Sequence, residues 1–448
     1  MALSTPPGRG GIGIIRISGV DALNFAQRLL LDETFAPEPH RVSLKAIHDP
    51  ESLEILDRGL VTFFKSPHSF TGEDVVELSC HGSPILLTRV VDALLRLGAR
   101  AADAGEFTLR ALSNNRLNLT QAEAIRDLIN AQTDAALQQA SRQLGGELSS
   151  RLQPIKNGTI EIIIPLESSL EFVEDDLPDI AYEKIRLQLA NLIRTTDALA
   201  ETFSAGRLLQ QGIRVTFVGK PNVGKSSIFN RLLQRERAIV TELPGTTRDS
   251  LTEQIVLGGI PLSLTDTAGI RAAGDMVERL GIERTRRAVI DADLVVVVFD
   301  GSSTFDREDQ DVFQSVGERK HLVVLNKSDD EAFNCIRPGF VDDSKILSLS
   351  AKTGDGFDVL QDEMLAPFLS ASNVEHNDFL ITNARQYDLL RRTSHSLKLT
   401  DDLFKEKASE ELLLVGLYDA LKYLGQITGE VTPEEILSEI FKTFCIGK

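Results

Sequence analysis

The chain has 448 residues, 42% of them hydrophobic and 25% charged, enough for roughly two to four domains with cores of their own. Its formal charge of −18 argues against a protein that grips nucleic acid unaided over a broad surface, leaving a local basic patch or a basic partner. Cys80, Cys335 and Cys445 lie far apart, which excludes a disulfide framework and the paired spacing of a zinc site. No apolar run reaches membrane-spanning length, and nothing before Thr5 resembles a targeting peptide. The expectation is a cytoplasmic protein with no membrane partner.

From the start to Leu117 the pattern is mixed α and β. Thr5-Pro-Pro-Gly-Arg-Gly-Gly is a turn-rich entry. Strands are expected at Ile12 to Ile17, Leu60 to Phe64 and Val75 to Leu78, and a helix from Ile85 to Leu97 stopped by Gly98. Arg16 interrupts the first strand. It reads either as an edge or ion-paired residue, or as a cation aimed at an anionic ligand.

At Thr120 the pattern changes to long amphipathic helices. Thr120 and Glu123 are spaced as a capping box, and Ile125, Leu128 and Ile129 follow at helical spacing. Ile160 to Ile164 suits either a strand or a helix kinked at Pro165; the helix is preferred. Glu174-Asp175-Asp176 reads as a solvated acidic turn. One helix is expected from Tyr182 to Leu208, ending near Gly212.

Residues 213–368 alternate apolar strands with helices, which predicts a doubly wound, mainly parallel sheet with ligands at the strand C-termini. Long helices resume from Tyr387 to Ile427. Thr432-Pro433-Glu434-Glu435 opens a last helix carrying Ile436, Leu437, Ile440 and Phe441 towards a core. Helix on both sides of an α/β unit implies an insertion. The expected division is 1–117, a helical domain in two parts (118–212 and 369–448), and the inserted domain 213–368.

The central motif is Gly219 to Ser227, Gly-Lys-Pro-Asn-Val-Gly-Lys-Ser-Ser, a phosphate loop between a strand (Val215 to Val218) and a helix (Ser226 to Leu233). Its glycines let backbone N–H groups turn towards a phosphate at a helix N-terminus. Lys225 can reach the outer phosphates, and the Ser226 hydroxyl can hold magnesium.

Four further signals follow in the order a GTPase needs. Gly245-Thr246-Thr247-Arg248-Asp249 can close over a γ-phosphate, with Thr247 completing the magnesium shell. Asp266-Thr267-Ala268-Gly269 follows the strand Ile260 to Leu264; Asp266 can hold magnesium through water, and the Gly269 N–H can sense the γ-phosphate. Asn326-Lys327-Ser328-Asp329 follows Leu322 to Leu325, and Asp329 can accept from guanine N1–H and the exocyclic amine. Ser350-Ala351-Lys352 can give a backbone N–H to the guanine oxygen. Each tetrapeptide alone is weak; five in order at strand ends specify GTP. The expected GTP contacts are Asn222, Val223, Gly224, Lys225, Ser226, Ser227, Thr241, Glu242, Leu243, Pro244, Gly245, Thr246, Thr247, Asp266, Thr267, Ala268, Gly269, Asn326, Lys327, Asp329, Ser350, Ala351 and Lys352.

Ile270 poses a problem. In Ras-type enzymes a glutamine there orients the attacking water, and isoleucine cannot. A second cation is one resolution: Asn222 and the oxygens of Thr241 to Thr246 could hold a monovalent ion beside the β- and γ-phosphates. Alternatively, Asn222 merely braces the loop.

The chain resembles the tRNA-modification GTPase family MnmE (TrmE) over essentially its whole length. The resemblance rests on Thr5-Pro-Pro-Gly-Arg-Gly-Gly-Ile-Gly-Ile-Ile-Arg-Ile-Ser-Gly, Phe70-Thr-Gly-Glu-Asp-Val-Val-Glu, Gly105-Glu-Phe-Thr-Leu-Arg-Ala, Gln121-Ala-Glu-Ala-Ile, the GTPase set and Cys445-Ile-Gly-Lys448. It implies an α/β and α+β multidomain fold: an N-terminal folate-binding and dimerising α+β domain, a discontinuous helical domain, and an inserted Ras-like P-loop domain. It further implies a potassium-activated GTPase whose two G domains meet across a homodimer. The expected partner is a flavoprotein, MnmG, in a heterotetramer that acts on C5 of the wobble uridine of certain tRNAs to give aminomethyl or carboxymethylaminomethyl groups. The carbon would come from 5,10-methylenetetrahydrofolate (5-formyltetrahydrofolate is the other candidate ligand), and FAD would belong to the partner.

Carried over residue by residue, Asn222, Thr241, Leu243 and Thr246 match potassium positions, and Ser226 and Thr247 match magnesium positions. Glu278 matches the glutamate that helps orient the hydrolytic water, with Gly245 and Thr246 beside it in the catalytic set. Arg16, Glu77, Arg116 and Lys448 match folate contacts, which shifts Arg16 to the functional reading. Arg116 stands where Lys is usual, Cys80 and Ser83 replace common glycines, and the leader before Thr5 is short. Cys445 is expected to be a buried, unreactive thiol. The competing readings are a ribosome-assembly GTPase, which the acidic balance and the two end motifs disfavour, and a folate-dependent enzyme with a purely regulatory GTPase.

Overall fold

The computed structural model describes residues 1–171, 179–235, 252–266, 286–341, 345–369, 379–431, 437, 440–445 and 447. The chain divides into two compact units: Met1–Ile129, Ser141–Leu189 and Ser396–Lys448 form one, Asn130–Ala140 and Ala190–His395 the other. No helix among the described residues is long and apolar enough to cross a membrane.

The first unit holds an antiparallel sheet of β1 (Ala2–Leu3), β2 (Ile12–Ser18), β3 (Val42–His48), β4 (Ile55–Phe64) and β5 (Val75–His81), in the spatial order β1-β2-β5-β4-β3. Alternation along each strand sends Ile15, Ile17, Val61, Phe63, Val76, Leu78 and Cys80 into one core, with helices Ala22–Leu30 and Pro84–Arg96. Arg16, between Ile15 and Ile17, therefore faces the other side, directly opposite Glu77 on β5. The three strands expected here are present and each is longer than its apolar run. β1 and β3 escaped sequence reading: β1 has two residues, and β3 is an edge strand with Val42 and Leu44 exposed. Helix Pro84–Arg96 ends as expected, with Gly98 at φ +99°.

The helical capping box needs correction. The helix starts at Leu119, and Asn118 is its cap: Gln121 N donates to Asn118 Oδ1 (2.9 Å) while Gln121 Oε1 accepts from Asn118 N (3.1 Å). Thr120 and Glu123, the expected pair, are buried within the helix. Asn118 and Gln121 carry the same three-residue spacing and the same donor–acceptor chemistry, so pattern alone did not separate the two frames.

Ile160 to Ile164 is helical, within Glu147–Glu171, and Pro165 lies inside that helix. Its buried Leu152, Ile155, Ile162, Ile163 and Leu166 stack against helix Glu410–Thr428, which buries Leu413, Leu417, Ala420, Leu424 and Ile427. Helices Ala384–Lys405 and Glu410–Thr428 fill the stretch expected from Tyr387 to Ile427. Towards the C-terminus Leu437, Ile440, Phe441 and Phe444 cluster with Leu109, Leu112 and Ala122. The turn 174–176, the cap 432–435 and Ile436 lie outside the described residues.

The single helix expected from Tyr182 to Leu208 is two: Asp179–Glu201 and Phe203–Gln211. The break falls at Thr202, whose Oγ1 donates to Leu199 O (2.8 Å) and accepts from Ile381 N (3.0 Å). That tertiary bond to a segment remote in sequence has no local signature.

The second unit contains a six-stranded sheet of β6 (Ile213–Val218), β7 (Thr252–Leu257), β8 (Ile260–Asp266), β9 (Leu294–Asp300), β10 (His321–Asn326) and β11 (Ile346–Ser348), ordered β11-β10-β9-β6-β8-β7. All neighbours are parallel except β7 and β8. This is the doubly wound, mainly parallel sheet read from the sequence. Strands buried on both faces, such as Leu294-Val-Val-Val-Val-Phe299, need apolar residues throughout, which is why they were legible. Strand order reverses at β6, so the crevice beyond its C-terminus is the topological switch point.

Candidate functional site

β6 delivers the chain to Gly219 at that switch point, and helix Lys225–Arg235 carries it away with no acidic residue in its first turn. The helix N-terminus thus presents uncompensated N–H groups and partial positive charge to the crevice. Gly224 has φ +97°, and a Cβ there would lie 2.0 Å from Asn326 Nδ2, so the loop requires glycine on both backbone and steric grounds. Asn222 also adopts a left-handed conformation, φ +64°. Lys225 Nζ donates to Gly219 O (2.8 Å) and Lys220 O (2.6 Å), spanning the loop from the carbonyl side.

Two oxygen donors expected at one magnesium ion come together: Ser226 Oγ donates to Asp266 Oδ2 at 2.6 Å. β8 runs parallel beside β6, and this register sets Asp266 level with the loop. A hydroxyl and a carboxylate converging at the mouth of a phosphate loop are hard donors that fit Mg²⁺. Thr247, the third expected ligand, lies outside the described residues.

A second cluster lies at the ends of β10 and β11. Asn326 Nδ2 donates to Val223 O (2.8 Å) and its Oδ1 accepts from Ala351 N (3.0 Å), so this buried amide ties the phosphate loop to the Ser350-Ala351-Lys352 loop. Buried Ser350 donates from Oγ to Asp329 Oδ1 (2.6 Å) and accepts there from the Lys352 and Thr353 N–H groups (3.2 and 3.0 Å). One donor and two acceptors exhaust a hydroxyl, so Asp329 is aimed by a saturated anchor. That hydrogen bond holds the Asp329 carboxyl below the ordinary carboxylate range. Lys327 pairs with Asp300 (2.5 Å) at the end of β9.

Sequence reading missed two further groups. Lys220, inside the phosphate loop, pairs with Asp306 (2.8 Å) and Asp309 (2.9 Å) at the capping box of helix Arg307–Val316. Burial disfavours its charge, but the bonds to two carboxylates outweigh that and raise its pKa above the ordinary lysine value. Arg231 donates to three successive carbonyls, those of Ala351, Lys352 and Thr353. Neither has a motif signal; a lysine beside a phosphate loop and an arginine on a helix read as solvated charges.

Thr241, Glu242, Leu243, Pro244, Gly245, Thr246, Thr267, Ala268, Gly269, Ile270 and Glu278 all lie outside the described residues. Asn222 is the one expected potassium position among those described.

In the first unit Arg16 donates to Glu77 Oε1 through Nε (2.8 Å) and Nη2 (2.6 Å), and through Nη1 to Gly447 O (3.2 Å). Its guanidinium lies 5.8 Å from the Phe107 ring centroid. Gly105 N also donates to Cys445 O (3.3 Å), so the C-terminal segment is sewn to this site. The ion-paired reading of Arg16 is thus realised, with the two side chains 21% and 23% exposed. Exposed Arg116 rests its stem over Gly72, and Lys448 is outside the described residues. Cys445 corrects an expectation: it is exposed, because Phe441 and Phe444 turn the hydrophobic side of the segment inward.

Two family models match: "GTP-binding protein TrmE N-terminus" over residues 1–116 and "MnmE helical domain" over 119–445. The chain belongs to the MnmE (TrmE) family. Relatives named tRNA modification GTPase MnmE include those of Koribacter versatilis (strain Ellin345), 42% identical, and Aquifex aeolicus (strain VF5), 39% identical. The alignments cover 100% of this chain and 98% and 99% of those relatives. The solved G domain of the T. maritima FeoB iron transporter is 23% identical, with a TM-score of 0.26 over 34% of this chain and 97% of that one, too low to bear on function. The family assignment rests instead on the two family models and the full-length relatives.

Proposed function

We propose that this MnmE-family chain is a GTP hydrolase that serves tRNA modification. The observation that carries the reading is the pairing of Ser226 with Asp266 at the switch point, beside a base-reading cluster in which Ser350 aims Asp329. Backbone N–H groups from Val223 to Ser226 bind the phosphates, and Lys225 adds charge at the outer ones. Asp329 accepts from the two guanine donors that adenine does not offer together. Ser226, Asp266 and Thr247 would hold Mg²⁺, which neutralises charge on the phosphate oxygens. Asn222, Thr241, Leu243 and Thr246 would hold K⁺; amide, carbonyl and hydroxyl oxygens suit such an ion. Glu278 orients the water that Ile270 cannot.

The reading extends to the first unit and to partners. Arg16 and Glu77 set donors and an acceptor side by side near Phe107, a combination that fits the edge and face of a pterin; with Arg116 and Lys448 they would hold the tetrahydrofolate that supplies the one-carbon unit. A homodimer acting with an MnmG-like flavoprotein, which carries FAD, modifies C5 of the wobble uridine. The domain division 1–117, 118–212 with 369–448, and 213–368 belongs to the same proposal. GTP turnover in potassium and in sodium at equal ionic strength tests it. Turnover is expected to be faster in potassium, and equal rates would remove the cation from the mechanism.

A further inference from the structure

We infer that Arg231 is a positioning residue for guanine recognition, acting through the Ser350-Ala351-Lys352 loop; the inference rests on the GTPase reading above. Arg231 lies on the helix that leaves the phosphate loop, two turns beyond Lys225. Its Nη1 donates to Ala351 O (3.0 Å) and Lys352 O (2.7 Å), and its Nη2 to Thr353 O (2.6 Å). The guanidinium also lies 5.8 Å from the Phe357 ring centroid. A planar fork with five donors can serve three neighbouring carbonyls at once; no other side chain has that geometry.

The consequence is directional. Along Ala351 to Thr353 the carbonyls are held by Arg231, while the N–H groups are turned to the opposite side, where Ala351 N meets Asn326 Oδ1 and the next two meet Ser350 Oγ. The peptide groups whose carbonyls Arg231 holds carry the N–H groups of Lys352, Thr353 and Gly354, and the first two donate to Ser350 Oγ. Ser350 in turn aims Asp329. Arg231 therefore orients the peptides that fix Ser350, and its loss acts on the contact of Asp329 with the guanine N1–H and amine. Because the guanidinium rides on the phosphate-loop helix, base reader and phosphate loop form one rigid frame.

Affinities of GDP and IDP for the full chain, by fluorescence competition or calorimetry, read this contact. IDP keeps the N1–H and the six-position oxygen but lacks the exocyclic amine from which Asp329 accepts. The unsubstituted chain is expected to prefer GDP. Arg231→Ala is expected to weaken GDP about tenfold and IDP only about threefold, so that the preference narrows. Arg214→Ala, at the start of β6 and paired with Asp293, is expected to leave both affinities unchanged. Equal weakening of both nucleotides by Arg231→Ala, or weakening of neither, would overturn the inference. A chain with Arg231 intact that shows no preference for GDP would instead overturn the reading of Asp329 as the base reader, and the inference with it.

Discussion

Asp329 shows how a single hydroxyl sets the charge state of a carboxyl proposed to read the base. Its folded pKa is below the ordinary value of about 3.9, so its charge is present above that value and is lost only as pH falls through the lower, folded one. Selectivity for guanine should therefore be flat between about pH 5 and pH 8, as nucleotide competition across that range would show. Asp329→Asn reverses one hydrogen-bond direction, since the amide donates where the carboxylate accepted. Loss of GTP affinity by about tenfold to a hundredfold, with a gain for the xanthine nucleotide whose two-position oxygen accepts, is the expected result. A variant that still prefers GTP would mean the base is read elsewhere. The cysteines give a second residue-scale prediction. Burial, aided by Asp57, pushes the Cys80 thiol up to about 12, whereas Cys335 and Cys445 are exposed. A thiol reagent at pH 8 should modify two cysteines in the native chain and the third only on unfolding. Native modification of all three would contradict the placement of Cys80.

Among elements, helix Phe203–Gln211 depends on one close approach. A Cβ on Gly206 would stand 2.2 Å from Ile381 O, so the helix and the segment around Ile381 touch backbone to backbone. Gly206→Ala gains helix propensity of about 1 kcal/mol in isolation. Here the clash with a carbonyl that cannot rotate away should win, giving a net loss of about 1–3 kcal/mol, read as a lower melting temperature. An unchanged or raised melting temperature would show that the two segments are not in register. Local signals fared unevenly at this scale. The buried parallel strands were legible because their apolar residues recur at the spacing of the element itself, whereas Ile160 to Ile164, inside helix Glu147–Glu171, suited strand and helix alike. The cap at Asn118, the break at Thr202 and edge strand β3 were not legible. Each is decided by a partner distant in sequence or by two local frames with equal chemistry.

For the whole molecule, the formal charge of −18 limits what this chain does alone. Phosphate contacts by Lys and Arg carry most non-specific nucleic-acid affinity, and an acidic chain supplies few of them. Binding of tRNA by the chain without a partner is expected to be weaker than about 1 μM at 150 mM salt. A gel-shift titration that gives nanomolar affinity under those conditions would require a basic surface that the composition hides.

What the amino-acid sequence determined by itself was the chemistry that must be contiguous: a phosphate loop, the tetrapeptides at strand ends, and the two end motifs that mark the family. These are legible because backbone geometry at a strand end leaves few residue types able to do the work. What only the tertiary structure decided was which distant groups meet. It set Ser226 against Asp266, Arg16 against Glu77 and Gly447, Lys220 against Asp306 and Asp309, and Arg231 against three carbonyls. Long charged side chains carry no spacing rule, because their partners are chosen by strand order and register rather than by neighbours along the chain.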